Sequence, residues 1–326
     1  MSHARIVAAG KYLPSSAVTN LDLVARHGFS MTPGWISEKT GIVERRYAAE
    51  HETTISMGQA AVADLLRKAS LTDLAVDVLI GTSSTSELSV PAWPNAVAAH
   101  CGVRADLVFE LNAACAAFTA AFDVANQYIR NGAERVLVVS SELASRSLVF
   151  SGPGDHFKLA PLLGDGAGAV LLERSDEVGV EGTGRMALAE HWRNVVKSHV
   201  ATPEFRDLAT GVFLYLNEGG ISDAYVRAPA EAARLALSRA AVTTDDIRWL
   251  VTHQPSVNML TQLREQLGIP AERHLVNVRH YGNTNSASVP IALDELIGRG
   301  LITRGDRILM IGMGAGFQAV AHVLRY

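Results

Sequence analysis

Cys115 sits in Glu110-Leu-Asn-Ala-Ala-Cys-Ala-Ala-Phe118, where a strand-like run, Leu107 to Leu111, gives way to small residues and then to a helix-like stretch ending near Arg130. A thiol at a helix start meets unpaired backbone N–H groups and the positive end of the helix dipole, which favour the nucleophilic thiolate. The plainer reading is a small buried hydrophobe. His253 follows directly on the apolar run Trp249 to Thr252, in Thr252-His-Gln-Pro-Ser256. Ligands in open α/β sheets gather beyond the carboxyl ends of strands, so this histidine either serves a site or satisfies nearby backbone groups. Asn283 lies in Tyr281-Gly-Asn-Thr-Asn-Ser-Ala-Ser288, a glycine- and hydroxyl-rich turn that an asparagine ordinarily stabilises through its own side chain. The tail Gly312-Met-Gly-Ala-Gly-Phe317 follows a strand, and its glycines permit close approach of N–H groups to a developing oxyanion.

The elements that must position these residues alternate β-branched runs with alanine-rich stretches, the pattern of α/β architecture with buried strands. Strands are predicted at Arg5–Ala9, Val76–Gly81, Leu107–Leu111, Arg135–Ser140, Ala167–Leu172, Trp249–Thr252, Leu275–Asn277, Arg307–Gly312 and Ala319–Leu324. Helices are predicted at Ile55–Ala69, Trp93–His100, Ala116–Arg130, Ala228–Ala240, Val257–Leu267 and Ser288–Arg299. Asp77-Val-Leu-Ile-Gly-Thr82 echoes Arg248-Trp-Leu-Val-Thr-His253, and Arg135-Val-Leu-Val-Val-Ser140 echoes Arg307-Ile-Leu-Met-Ile-Gly312, in the same order. A duplicated unit follows, with halves 1–173, carrying the cysteine, and 174–326, carrying the histidine and asparagine. Residues 181–224 show poor periodicity, as lids and channel walls often do.

At 326 residues, 48% hydrophobic and 19% charged, the chain can bury a large core. A net charge of −4 argues against a nucleic-acid or membrane-surface binder. The N-terminus has no signal-peptide pattern and no window approaches a membrane span, so a cytoplasmic location is expected. Two cysteines make no disulfide scaffold, Cys101 reads as packing, and no spacing suits a metal.

Together, Asn-Ala-Ala-Cys-Ala-Ala-Phe, Thr-His-Gln, Gly-Asn-Thr and Gly-Ala-Gly-Phe, in that order, resemble the Cys-His-Asn condensing enzymes of the thiolase superfamily, and among them β-ketoacyl-acyl-carrier-protein synthase III. Trp35-Ile-Ser-Glu-Lys-Thr-Gly-Ile-Val-Glu-Arg-Arg46 and Leu163-Gly-Asp-Gly-Ala-Gly-Ala169 extend the likeness over nearly the full length. The resemblance implies a five-layered α-β-α-β-α fold with two pseudo-symmetric halves, a homodimer, no cofactor and no metal. It implies acylation of Cys115 as a low-pKa thiolate, an oxyanion hole from the Cys115 and Ala315 N–H groups, and His253 Nε2–H with the Asn283 amide as enolate donors. It makes the glycine run at Gly164–Gly168 a structural turn. Acyl thioesters of coenzyme A or of a carrier protein are the implied partners, with Trp35, Lys39, Val90, His156, Ser256 and Phe317 at substrate-binding positions.

Several positions depart from the family pattern. The carrier-docking arginine after His253 is absent, Ser256 replaces a pantetheine-contacting asparagine, and Glu265-Gln266 replaces a basic pair, leaving Arg264. His156 falls near the adenine-stacking arginine, with Lys39 and Lys158 as basic neighbours. Val90 stands where a bulky aromatic often limits the acyl pocket. A decarboxylative condensing enzyme, in fatty-acid initiation or a specialised pathway, is the expected activity. The alternative is acyl transfer to an alcohol or amine with His253 as general base. A chain-length partner subunit fits least, since all three site residues are present.

Overall fold

β-Branched runs become strands and alanine-rich stretches become helices, and the helices Asn20–His27, Pro33–Thr40, Thr54–Ala69 and Val257–Leu267 start from a polar side-chain cap. The computed structural model describes residues 2–29, 31–150, 156–198, 211–215 and 221–326. The first half contains β1 (His3–Tyr12), β2 (Ser16–Thr19), α1 (Asn20–His27), α2 (Pro33–Thr40), β3 (Glu44–Tyr47), α3 (Thr54–Ala69), β4 (Leu74–Thr82), α4 (Pro94–Cys101), β5 (Val103–Glu110), α5 (Ala117–Arg130), β6 (Arg135–Glu142) and β7 (Gly166–Ser175). The second half contains β8 (Val180–Ala187), β9 (Val195–Val196), β10 (Leu214–Tyr215), α6 (Ile221–Ala240), β11 (Trp249–Thr252), α7 (Val257–Leu267), α8 (Val278–Tyr281), α9 (Ser288–Gly298), β12 (Arg307–Gly314) and β13 (Gln318–Arg325). Capping is explicit at α3, where Thr53 and Ser56 form a capping box, and at α7, which Ser256 caps and Gly268 ends in a left-handed conformation.

Among the described residues the strands form two large sheets, one ordered β1-β7-β6-β4-β5 and the other β11-β12-β13-β8, and two two-stranded ribbons, β2-β3 and β9-β10. In the first, β4 lies parallel to β5 and β6, while β7 and β1 are antiparallel to their neighbours. The second repeats the scheme: β11 and β12 are parallel, then β13 and β8 antiparallel. α3 and α4 cover the outer face of the first sheet, α5 and α9 lie between the sheets, and α6 covers the second, with α7 packed beside it and its Leu263 and Leu267 in the same core. This is the five-layered thiolase-like α/β fold. The two sequence echoes pair β4 with β11 and β6 with β12, which occupy equivalent places. The central layer is apolar where Phe118, Phe122 and Ile129 of α5 pack among Val138, Leu293 and Met310.

The predicted strand at Leu275–Asn277 does not form. It stands where the second sheet would need its counterpart of β5, and only a single bridge, Leu250 to His274, survives. Gln254 explains the loss: its Nε2 donates to the Leu275 carbonyl, while its Oε1 accepts from the Asn277 and Val278 N–H groups. A side chain thus takes the place of a ladder. Helix α6 begins at Ile221, well before the predicted Ala228, and carries Pro229 inside it. Of the poorly periodic region, residues 199–210 and 216–220 lie outside the described residues; the remainder supplies β8, β9 and β10. No helix among the described residues is long and apolar enough to cross a membrane, and no cluster of three metal-ligating side chains occurs among them.

Contact between α6 and β8 depends on glycine. A Cβ at Gly184 would collide with the Ala232 carbonyl and approach the Ala236 nitrogen to 2.8 Å, and helix backbone cannot yield as a flexible side chain can. Gly184→Ala is therefore expected to destabilise the protein by about 1–3 kcal/mol in urea unfolding; an unchanged midpoint would show that α6 is free to shift.

Candidate active site

The site lies in the central layer, where the first turns of α5 and α9 meet. Each helix is preceded by a 3-10 turn, Ala114–Ala116 and Asn285–Ala287, and the first residue of each turn is a non-glycine with positive φ, 50° at Ala114 and 46° at Asn285. Such conformations cost of order 1–3 kcal/mol and persist where surrounding contacts hold them. Asn112 Oδ1 accepts from the Ala114 N–H at 3.0 Å, and Asn283 Oδ1 accepts from the Asn285 N–H at 2.9 Å. Cys115 is thereby held on a sharp turn, with β12 closing over it: a Cβ at Gly314 would lie 2.7 Å from the Cys115 nitrogen.

Asn285, which no motif reading singles out, joins the three predicted residues. Cys115 Sγ donates to Asn285 Oδ1 at 3.5 Å, His253 Nδ1 lies 3.1 Å from the Asn285 carbonyl, and Asn283 grips the Asn285 N–H. Asn285 Nδ2 is buried without a partner among the described residues, a spare donor beside the sulfur. A carbonyl can only accept, so His253 carries its proton on Nδ1 and presents Nε2 as a lone pair. This corrects the expected Nε2–H donor. Asn283 keeps its Nδ2 as the donor end, because its Oδ1 is occupied.

Electrostatics also depart from expectation. Cys115 retains partial exposure, yet burial pushes its thiol up to about 12; Glu142 adds to the rise and the Cys115 N–H opposes it. Desolvation outweighs the helix start, so the resting form is the thiol, not the expected low-pKa thiolate. Burial lowers His253 to about 4 against the opposing pull of the Asn285 carbonyl. Glu142, fully buried, receives the Ser84 N–H at 3.0 Å, the Thr85 hydroxyl at 3.0 Å and the Ser286 hydroxyl at 2.5 Å, so it anchors the turn after Asn285. Tyr225 also lies near the thiol: burial raises its phenol and Cys115 contributes. Neither Glu142 nor Tyr225 sits in a motif that would mark it.

The two further motifs support the Asn283 loop. Gly164 N–H donates to the Asn283 carbonyl at 2.9 Å, Leu162 O accepts the Asn283 N–H at 2.8 Å, and a Cβ at Gly164 would strike the Tyr281 carbonyl. Asp165 holds the Ala48 and Ser145 N–H groups. Arg45 is fully buried and donates to Asn20 Oδ1 and the Val18 and Pro161 carbonyls.

The remaining predicted positions are less uniform. Ala315 lines a cavity with Ala114 and Asn112, next to the Cys115 turn. Phe317 is buried against Tyr225, centroids 4.5 Å apart, and packs in the core of the second sheet rather than on that cavity's wall. Ser256 spends its hydroxyl capping α7. Trp35 is exposed on α2, and Lys39 is exposed and paired with Glu38. Val90 is 86% exposed, so it does not wall the pocket of its own chain. His156 begins a 3-10 turn, His156–Leu159, and its side chain lies outside the described residues. Arg264 is engaged by the Ile269 carbonyl and Glu265.

Residues 109–187 match the family described as 3-oxoacyl-(acyl-carrier-protein) synthase III, and residues 237–326 match its C-terminal family. The chain is 32% identical over 327 residues to the β-ketoacyl-(acyl-carrier-protein) synthase III of Laribacter hongkongensis (strain HLHK9), spanning 100% of both. It is similar to the crystal structure of 3-oxoacyl-(acyl-carrier-protein) synthase III from Aquifex aeolicus VF5, with 33% identity, a TM-score of 0.87 and coverage of 99% and 100% of the two chains. A priming β-ketosynthase from the R1128 polyketide biosynthetic pathway is 28% identical, with a TM-score of 0.87 over 99% of this chain and 96% of that one.

Glu142 raises the Cys115 thiol through its charge, so Glu142→Gln is expected to speed alkylation of Cys115 by iodoacetamide at mildly alkaline pH by roughly threefold to tenfold. Peptide mapping separates Cys115 from Cys101, and a rate that stays level or falls removes Glu142 from the account of the thiol.

Proposed function

The chain belongs to the 3-oxoacyl-(acyl-carrier-protein) synthase III family of thiolase-fold condensing enzymes, and from that premise we propose that it forms a carbon–carbon bond in two steps on Cys115. The observation that carries this reading is the joining of Cys115, His253 and Asn283 through Asn285. In the first step Cys115 Sγ attacks the carbonyl carbon of an acyl thioester of coenzyme A or of a carrier protein. The carrier's S–C bond breaks as the Cys115 S–C bond forms, and the thiol proton passes through the His253 Nε2 lone pair to the departing thiolate. The N–H groups of Cys115 and Ala315 face the oxyanion in this scheme.

In the second step a malonyl-type thioester loses carbon dioxide. The electrons of the broken C–C bond pass to the thioester as an enolate, its carbon attacks the acyl group, and Cys115 leaves as a thiolate that takes up one proton. The Asn283 amide is the neutral donor for that enolate. A β-ketoacyl-type thioester is a further candidate acceptor. A homodimer with a two-fold axis is the expected assembly. On the face that follows His253, Arg264 is engaged by the Ile269 carbonyl and Glu265, and Glu265-Gln266 adds no cation; weaker steering of an acidic carrier at this face favours a specialised pathway over fatty-acid initiation.

The lone pair on His253 Nε2 also suits acyl transfer to an alcohol or amine, where the imidazole would take the acceptor's proton. Asn283 favours condensation, because simple transfer develops no enolate.

Intact-mass measurement with a panel of acyl-CoAs is expected to show one acyl group added to the wild type and none to Cys115→Ala. Asn283→Ala is expected to slow malonyl decarboxylation roughly 100- to 1000-fold while Cys115 still loads. Equal losses of loading and decarboxylation would instead mean that the variant disturbs the whole turn. His253 works as the neutral base, so protonation below its pKa removes the lone pair. Loading is therefore expected to persist as pH falls, with an acid limb at about 4 instead of the ordinary histidine value of about 6.5.

A further inference from the structure

The cavity beside Cys115 has a volume of about 150 Å³ and is lined by Ala114, Ala315, Val195, Val196, Phe213 and Lys197, with Ser84 and Asn112. Its size matches about five waters at roughly 30 Å³ each, which is room for a short acyl chain. A purely hydrocarbon chain has no use for an ammonium in its wall.

Lys197 follows directly on β9, and its Nζ is fixed on three sides. It donates to the Ser84 carbonyl at 3.0 Å and to the Ser147 hydroxyl at 3.0 Å, and it stands 5.0 Å from the centroid of Phe213. The Phe213 N–H is itself tied to the Ser147 carbonyl at 2.7 Å. An ammonium has three donors. Two are spoken for, and no described residue accepts the third. Glu142 faces Lys197 through space, its oxygens occupied by Ser84, Thr85 and Ser286. A half-buried cation held this way, on the wall of the cavity beside the nucleophile, lacks one acceptor, and a substrate oxygen can supply it.

We propose that Lys197 selects acyl donors bearing an oxygen acceptor, a keto, hydroxyl or carboxylate oxygen, a few atoms beyond the thioester carbonyl. The proposal rests on the acyl-enzyme reading for the position of the chain and deepens it by naming the donor class. The contact forms on binding and leaves the chemistry at Cys115 unchanged.

The test compares donors matched in length, butyryl-CoA against acetoacetyl-CoA, 3-hydroxybutyryl-CoA and succinyl-CoA, by the rate of mass gain on the full chain. The wild type is expected to load at least one oxygenated donor roughly tenfold to hundredfold faster than butyryl-CoA. Lys197→Met is expected to abolish that preference. Lys197→Gln, which keeps a donor without the charge, is expected to retain preference for keto or hydroxyl chains and lose it for the carboxylate; it also serves if Lys197→Met does not fold. Butyryl-CoA loading as fast as all three, or a ratio that neither variant alters, overturns the proposal. In a Cys115→Ala background the same donors are compared by calorimetry, with and without Lys197→Gln, which reads the preference without a covalent step. Absence of any adduct on the wild type therefore sinks the acyl-enzyme reading, while equal affinities in the Cys115→Ala background sink the assignment of Lys197.

Discussion

Asn285 is held in a left-handed conformation through its N–H, its carbonyl and its side-chain oxygen, and the geometry of the site depends on that hold. Its N–H meets Asn283 Oδ1, its carbonyl accepts from both His253 Nδ1 and the Ser288 hydroxyl, and its side chain accepts from the Cys115 thiol. Asparagine tolerates this backbone better than most residues, but the turn still needs outside support. Glu142 supplies it at Ser286, and the Gly164 and Leu162 backbone supplies it at Asn283. Motifs far apart in sequence thus converge on a single turn of a few residues, from which cysteine, histidine and asparagine take their relative positions.

The duplicated fold explains why two such turns face one another. Equivalent sheets sandwich α5 and α9, and each helix starts from a 3-10 turn opened by a strained non-glycine residue. One turn carries the thiol and the other the hydrogen bonds that orient its neighbours. Symmetry is broken where the halves differ in duty. Gln254 replaces the missing fifth strand of the second sheet, keeping the segment between His253 and Asn283 satisfied without a ladder. β9 and β10, paired antiparallel outside both large sheets, bring Val195, Val196, Lys197 and Phe213 to the cavity beside Cys115.

A neutral resting site follows from burial. Charge on the thiol or the imidazole would have to be held away from water, and the groups that touch them directly, the Asn285 side-chain oxygen and carbonyl, are dipoles rather than counterions. The same burial makes fixed dipoles effective when charge develops on a substrate. A thiol kept protonated and an imidazole kept neutral are thus two results of one environment, and both suit a group that passes a proton on as the thioester forms.

Composition and pattern alone determined the α/β class and most strands and helices, because periodicity within an element is a local signal; they offered Cys115, His253 and Asn283 as candidates, each beside a structural alternative, and the roles of the three came from the family resemblance. The degenerate strand at Leu275–Asn277 was misread because its pattern is that of a strand, while the group that satisfies its backbone, Gln254, lies about twenty residues earlier. Asn285, Glu142, Tyr225 and Lys197 escaped because each gains its meaning from partners distant in sequence; Cys115 and Asn285 are separated by 170 positions. The tautomer of His253 and the protonation of Cys115 were beyond reach for a related reason. Both are set by which carbonyl, carboxylate and apolar surface surround the group, and only packing of the two halves decides that.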